Sequence, residues 1–505
     1  MTLDTKLTYS EHIENLITKG ERALHILRKI GGASWGVKCN TRLLLYKNYI
    51  LPKTVYGEEF FDKGSLTSLN KLQKFQNKTL TIISNTRKSL PIAARHYLCQ
   101  LPTLEIRRKI KILHLHNRLQ YNQENPTNTI FTDRYDNTTH YRNKNKIKPT
   151  FVESTRTLIQ ENSLTQFKVN SMPKPIEYWA LKLIEVDTSI VKLINEYNNP
   201  TVNDKLDIVL NHLRLKYANH YHIYCDGAKN RDTGHTGIGI YDITNNITYN
   251  AKLNTHLHID NVELAAASFS AKYINQNMPN SNSLILSDSL SACRRLSEYS
   301  DTDPRLDLVN VIHRFAHNSK IRNGSITILW IPAHINLTGH DIADRLAKEG
   351  THSRNFKDLG YSTKELKLVI ESAFTIPTLQ SYWQESRIGT HGRSIIPNFF
   401  SNLKINNLTK RNSISHLLIR LIFGTANFHI RRNNAACEEC QSNLSIEHVV
   451  LHCKLFEHSR NRISEELNKL NKETTLENIL SPNCHASIKE LRNILIREIH
   501  DKFTI

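Results

Sequence analysis

Four acids stand at the edges of predicted elements in the middle of the chain. Asp226 closes the alternating stretch "YHIYCDG", Glu263 opens "NVELAAASFSAKYIN", Asp288 closes "SLILSDS", and Asp344 lies in "HDIADRLAKEG". A carboxylate at the end of a buried strand is costly unless it is protonated, paired or bound to a cation. Four converging carboxylates raise one another's pKa, and divalent cations remove that repulsion. Oxygen-only ligands with water suit Mg²⁺ or Mn²⁺. Two such ions form a clamp for phosphodiester cleavage, one activating water and the other stabilising the leaving oxygen. Each acid taken singly also has an ordinary reading. Asp226 before Gly227 fits a turn, Glu263 and Asp288 fit caps, and Asp344 fits a partner for Arg345 or for the helix dipole. Their order on one fold pattern is what favours the metal set.

A second group has metal-ligand spacing: Cys437-x₂-Cys440-x₇-His448-x₄-Cys453. Two thiolates two residues apart grip one Zn²⁺, and a His and a further Cys complete a tetrahedron. Four protein ligands leave no open position, so the expected role is structural. His452 competes with His448 as the nitrogen ligand, and free cysteines in a helical tail are the plain alternative.

The elements that must position the acids fall within 216–352. "YHIYCDG", "TGIGIYDI" and "ITYNAKL" are three closely spaced strands, followed by a helix. "SLILSDS" and "SITILWIPAH" are two more strands, with "LSACRRLSEY" and "RLDLVNVIHRFAHN" as helices between them and "HDIADRLAKEG" as a helix after. A meander followed by two βα units predicts an α/β domain with a mixed five-stranded sheet and flanking helices. The first and fourth strands would aim Asp226 and Asp288 at the same sheet edge, where ligands collect. On either side the chain reads as mainly helical. The expected regions are 1–118 (helices), 119–215 (an Asn-rich linker, then weak helical periodicity as in "YWALKLIEV"), and 360–505 (basic helices with the Cys cluster).

The composition is that of a globular protein: 505 residues, 39% hydrophobic and 23% charged. No apolar run approaches the roughly 18 residues of a membrane span, and the N-terminus lacks a signal-peptide layout. Membrane partners are therefore not expected. Scattered cysteines point to a reducing, intracellular compartment, nucleus or cytoplasm. The net charge is +20, which makes a polyanion, nucleic acid above all, a plausible partner. From Tyr217 to Thr351 there are 12 Lys+Arg against 13 Asp+Glu, so the flanks carry the whole excess. The middle is acidic enough to hold cations, and the flanks are basic enough to hold a phosphate backbone.

"YCDGAKN", "GIGIY", "NVELAA", "LILSDSLSAC" and "ILWIPAHINLTGHDIADRLAKEG", in this order, resemble the ribonuclease H domain of non-LTR (LINE-like, jockey-type) retrotransposons. The resemblance implies a ribonuclease H-like fold and an endoribonuclease that cuts the RNA strand of RNA–DNA hybrids. It implies that Asp226, Glu263, Asp288 and Asp344 hold two Mg²⁺ or Mn²⁺ ions and that His334 assists proton transfer or product departure. The 2′-OH distinguishes RNA; backbone N–H groups around Gly227 and Asn230, with the Glu263 side chain, are expected to read it. Ser289 is a further expected substrate contact. The family usually has Ser or Thr where Ala228 stands and Asn where His340 stands; His340 is expected to perturb the loop before Asp344, but neither residue is expected to touch a metal ligand, so activity should survive.

"LTYSEHIENLITKGERALHILRKIGGASWGVKCNTRLLLYKNYILPKTVYG" and "LQKFQNKTLTIISNTRKSLPIAARHYLCQLPTLEIRR" look like the thumb and connection that follow the polymerase palm in that family. A Cys/His cluster downstream also agrees with it. No Tyr-x-Asp-Asp or similar double-Asp turn occurs. The expectation is a C-terminal portion of a reverse transcriptase, acting as a ribonuclease. The alternatives are a catalytically silent nucleic-acid-binding remnant and an accessory subunit of a separately encoded polymerase.

Overall fold

The computed structural model describes residues 1–5, 8–30, 37–62, 64–86, 88–122, 125–126, 151–170, 173–176, 184–386, 390–399, 413–426 and 436–503. Most of the expected linker and part of "YWALKLIEV" lie outside these residues. The chain divides into two units. One comprises Met1–Leu113, Lys146–Leu158 and Glu371–Ile505; the other comprises His114–Asn145 and Ile159–Ile370.

The second unit is built on a mixed sheet. Its strands are β1 (Glu185–Asp187), β2 (Tyr221–Lys229), β3 (Thr236–Asp242), β4 (Ile247–Leu253), β5 (Asn282–Ser287) and β6 (Ser325–Trp330). The order is β1-β6-β5-β2-β3-β4. β2, β3 and β4 form the expected antiparallel meander, and β2, β5, β6 and β1 pair in parallel. Among the described residues the sheet has six strands, not five. The extra strand, β1, is three residues long and sits on an edge, inside a stretch read as helical, so its short run carried no alternation of its own. It is held by Asp187, whose carboxylate accepts hydrogen bonds from Ser189 N–H (2.8 Å), Lys216 Nζ (2.8 Å) and the Tyr217 hydroxyl (2.7 Å). Burial opposes ionisation there, but these donors hold the Asp187 carboxyl well below the usual carboxylate range.

The helices of this unit are α1 (Ser189–Asn195), α2 (Val202–Lys216), α3 (Ile259–Asn277), α4 (Leu290–Ser297), α5 (Leu306–Ile321), α6 (Thr338–Gly350) and α7 (Thr363–Ile370). Strand alternation sends side chains to two cores. Ile223, Cys225, Ile238, Ile285 and Ile328 pack with Val262, Ala266 and Ile274 of α3 and Val309 and Ile312 of α5. Tyr224, Tyr241, Leu284, Leu286 and Leu329 pack on the other face with Val209 and Leu213 of α2 and Ala343 and Leu346 of α6. Each fully buried Leu, Ile or Val among them contributes about 1.5–3 kcal/mol.

The first unit is helical, as expected, with main helices Ser10–Lys29, Leu66–Ser84, Ile92–Cys99, Glu457–Lys469 and Ala486–Lys502. Its two chain ends share one apolar core: Tyr97, Leu98 and Ile106 pack with Trp383, Phe399, Leu421 and Phe423.

Candidate functional site

Asp226 and Asp288 meet because β2 and β5 are parallel. The last paired residues of these strands are Tyr224 and Leu286, and each acid lies two residues further along. Gly227 follows Asp226 where α3 crosses closest. A Cβ there would lie 2.8 Å from Glu263 N and 2.9 Å from Val262 C, so only glycine admits the helix at this distance. The Gly227 N–H donates to Glu263 Oε2 (3.0 Å), which fixes the helical acid against the strand. Carboxylate oxygens of Asp226, Glu263 and Asp288 all lie within 4.8 Å of one another.

These acids disturb each other. Asp226 is 6% exposed. Burial first, then the charge of Asp288, pushes its pKa up to about 7; Asp344 adds to the rise, while His340 and the Gly227 N–H oppose it. Burial, followed by Asp226 and Asp288, holds Glu263 well above its ordinary value. Three carboxylates this close do not all ionise unaided. An oxygen-only trio with mutually raised pKa values is the donor set that suits a hard divalent cation, so the residues present fit the implied ions.

Asp344 stands outside the trio. Its Oδ2 lies 2.6 Å from Lys348 Nζ, one turn along α6, whereas Arg345 pairs with Glu349 (3.6 Å). Its charge nevertheless raises the pKa of both Asp226 and His340. α6 is seated by two glycines of β3. A Cβ on Gly239 would lie 2.2 Å from Ala343 O, and one on Gly237 would lie 2.3 Å from Thr351 N. This close approach carries His340, 4% exposed, to the acids: its Nε2 lies 3.3 Å from Asp288 Oδ2. Burial lowers the imidazole pKa, but Asp288, Asp226 and Asp344 together raise it above its ordinary value. The Nδ1 atom is buried without a hydrogen-bond partner among the described residues. The expectation that His340 touches no ligand of the metal set is overturned by this contact with Asp288, which depends on how closely α6 approaches β3 and leaves no local trace in the sequence.

In the helical unit, Cys437, Cys440, His448 and Cys453 place their ligand atoms within 4.8 Å of one another. Ala436 and Asn443 form an isolated antiparallel bridge that folds the first two cysteines into a knuckle. His448 begins a single π-helical turn that ends at His452, and His448, not His452, joins the cysteines. The Cys437 and Cys453 sulfurs are 3.7 Å apart; two thiolates on one tetrahedral Zn²⁺ at about 2.3 Å would be about 3.8 Å apart. Burial would raise the Cys437 thiol, but backbone N–H groups of Cys440 and Glu439 and the neighbouring sulfurs bring it below its ordinary value. Burial pushes Cys453 up to about 12. The Nε2 of His448 is buried without a partner among the described residues. An orphaned imidazole nitrogen facing three thiols fits Zn²⁺.

Residues 218–352 match the RNase H family model. They form an RNase H domain. Over 124 residues the chain is 32% identical to the RNA-directed DNA polymerase from mobile element jockey of Drosophila melanogaster. That similarity covers 24% of this chain and 12% of the relative, so the chain spans a small part of the relative's length.

The remaining expected site residues all lie in the RNase H domain, in varied settings. His334 is exposed on the loop between β6 and α6, with φ 55°, and its imidazole makes no hydrogen bond to a described residue. Asn230 shapes the β2–β3 turn, its Oδ1 accepting from the N–H groups of Asp232 (2.9 Å) and Thr233 (3.0 Å). Ser289 caps α4, its Oγ accepting from Ala292 N–H (3.3 Å). Ala228 stays in β2, paired with Gly237. Of the expected residues, the structure gathers Asp226, Glu263, Asp288 and Gly227 at one point and sets Asp344 one helix away on the charged face of the same site.

Proposed function

We propose that the RNase H domain hydrolyses the RNA strand of RNA–DNA hybrids, using two Mg²⁺ or Mn²⁺ ions held by Asp226, Glu263, Asp288 and Asp344. The observation that carries this reading is the convergence of three carboxylates within 4.8 Å in a domain that matches the RNase H family. Divalent ions bound there supply Lewis-acid activation of the phosphodiester and of water. The chain's own residues prepare that site. Gly227 N–H orients Glu263, the parallel pairing of β2 with β5 aligns Asp226 with Asp288, and α6 carries Asp344, whose charge acts on Asp226. His334, exposed on its loop, is available to move a proton or to help product leave. Gly227 adjoins Asp226 within β2, Asn230 follows the last residue of β2 and Ser289 follows Asp288, which supports their expected place at the substrate.

The test is cleavage of a labelled RNA–DNA hybrid by the purified chain with and without Mg²⁺, beside Asp226→Asn and Asp288→Asn. Cleavage that needs the metal and is lost in both variants supports the reading. Intact RNA with wild type, or equal cutting by the variants, sinks it.

A second reading is a silent nucleic-acid-binding remnant. It is favoured by one observation: two of the acids already have basic partners in the chain itself, Asp288 the His340 imidazole and Asp344 the Lys348 ammonium. Hybrid that is bound uncut, in a manner that weakens steeply with salt and needs no Mg²⁺, would select it. Similarity to the jockey polymerase supports a separately encoded polymerase as a partner under either reading. The Cys/His group is proposed as a structural Zn²⁺ site. All eight cysteines are free, which supports a reducing intracellular compartment.

A further inference from the structure

The helical unit holds a cavity of about 790 Å³ that contains none of the acids or cysteines discussed above. Its wall follows from a turn. The Leu51–Thr54 helix ends at Val55, and Gly57 adopts φ 76°, a left-handed conformation that glycine takes without steric cost. Glu58 N–H closes the turn on Val55 O (3.0 Å). The side chains on either side separate by character: Tyr56 is 65% exposed and Phe60 57% exposed, while Glu58 is 3% exposed.

Three cations line the same cavity: Lys47, Arg107 and Lys111. Arg107 Nε lies 3.0 Å from Glu58 Oε1, an ion pair that lacks hydrogen-bond geometry and keeps the guanidinium beside the cavity wall. Burial pushes Glu58 up to about 7, with Arg107 opposing, and its Oε2 finds no partner among the described residues. Glu59 lines the cavity too, so three cations face two carboxyls, of which Glu58 is held toward its neutral form by burial. Lys47 and Lys111 form no ion pair with a described residue. An anion is the complement of this wall. Guanidinium and ammonium groups take phosphate, and aromatic faces accept any nucleobase by stacking. A volume of this size lies within the roughly 300–1,000 Å³ range of small-ligand sites. An acidic peptide would use the cations and leave the two aromatic faces idle.

We infer that this cavity binds a nucleoside phosphate, with its phosphate on Lys47, Arg107 and Lys111 and its base against Tyr56 or Phe60. The ligand is either a free nucleotide or one residue of a single strand. The inference stands apart from the ribonuclease reading, since none of these residues lies in the RNase H domain.

The full chain is titrated in EDTA with AMP, with inorganic phosphate, with a labelled ten-residue oligo-dT and with a ten-residue poly-Glu peptide. Wild type is compared with Lys47→Ala/Lys111→Ala and with Tyr56→Ser, changes at exposed or half-buried side chains that act through different chemistry; circular dichroism confirms that both fold. The expected result is at least a fivefold loss of affinity for AMP, oligo-dT or both in each variant. AMP that displaces oligo-dT, or oligo-dT affected while AMP is not bound, assigns a strand. AMP that binds without displacing it assigns a free nucleotide. Unchanged affinities in both variants overturn the inference, as does phosphate binding as tightly as AMP. Poly-Glu bound as tightly as oligo-dT and released by the same variants also overturns it.

Discussion

His340 Nε2 lies 3.3 Å from Asp288 Oδ2, so a buried imidazole occupies one side of a carboxylate that the proposed metal set requires. A cation arriving at Asp288 competes with that contact. His340→Asn keeps a hydrogen-bond donor and removes the ionisable ring. The Mg²⁺ concentration for half-maximal hybrid cleavage is expected to fall by about 3- to 10-fold, equivalent to roughly 1 kcal/mol of relieved competition. A Mg²⁺ titration at pH 7 checks this; an unchanged or higher requirement would show that the imidazole does not compete.

The metal-free site is predicted to weaken the fold as pH rises. The pKa of Asp226 is pushed up to about 7, above the roughly 3.9 of an unfolded Asp. The folded chain therefore keeps a proton that the unfolded chain has lost, and stability declines between about pH 4 and pH 7. His340, raised above its ordinary value, adds a loss in the same direction above its unfolded pKa of about 6.5. In EDTA the melting temperature should fall from pH 5.5 to pH 8, reflecting a loss on the order of 2 kcal/mol from Asp226. Asp226→Asn should flatten that fall, and Mg²⁺ should stabilise wild type more at pH 8 than at pH 5.5. Parallel pH profiles for wild type and variant would refute the assignment.

Gly239→Ala tests how α6 is seated. The new Cβ would fall 2.2 Å from Ala343 O and 2.4 Å from Ala347 N, so the helix must retreat from β3. A loss of about 3 kcal/mol in urea unfolding is expected, at the upper end of overpacking costs. Because Asp344 and His340 ride on that helix, cleavage should fall further than the unfolded fraction explains. Wild-type stability would mean that the glycine contact is not what sets the helix.

Cys437→Ser should abolish stoichiometric Zn²⁺, read by elemental analysis, and lower the melting temperature by at least about 5 °C, because metal binding at a structural site is folding free energy. His452→Ala, outside the ligand group, should retain Zn²⁺. A Zn²⁺ content indifferent to Cys437→Ser would dismiss the site.

Much of the middle domain was legible because its signals are local. Asp226 and Asp288 each end an alternating or apolar run, and such runs report strands without help from the rest of the chain. The Cys/His spacing was legible for the same reason, although only the fold decides between His448 and His452. Contacts across long separations left no such trace. β1 owes its existence to pairing with β6 more than a hundred residues later. The partner of His340 depends on how closely α6 approaches β3, and the burial of Glu58 in "YGEEF" depends on Arg107 arriving beside it. In each case the residue type was visible and its neighbour was not.

The helical unit leaves and re-enters the chain around the other unit: Tyr97 stacks on Trp383 with ring centroids 5.1 Å apart, and Gln100 Nε2 donates to Phe399 O at 3.1 Å. In genetic terms this makes premature stop codons unequal. A stop soon after residue 370 would delete Trp383, Phe399, Leu421 and Phe423 and strip the cover from Tyr97 and Leu98, leaving the first hundred residues with a bare apolar face. Such an allele would yield a chain fit for aggregation or proteolysis and not a lighter nuclease. Excising the nuclease segment by itself, ends and all, leaves that shared core its own partners.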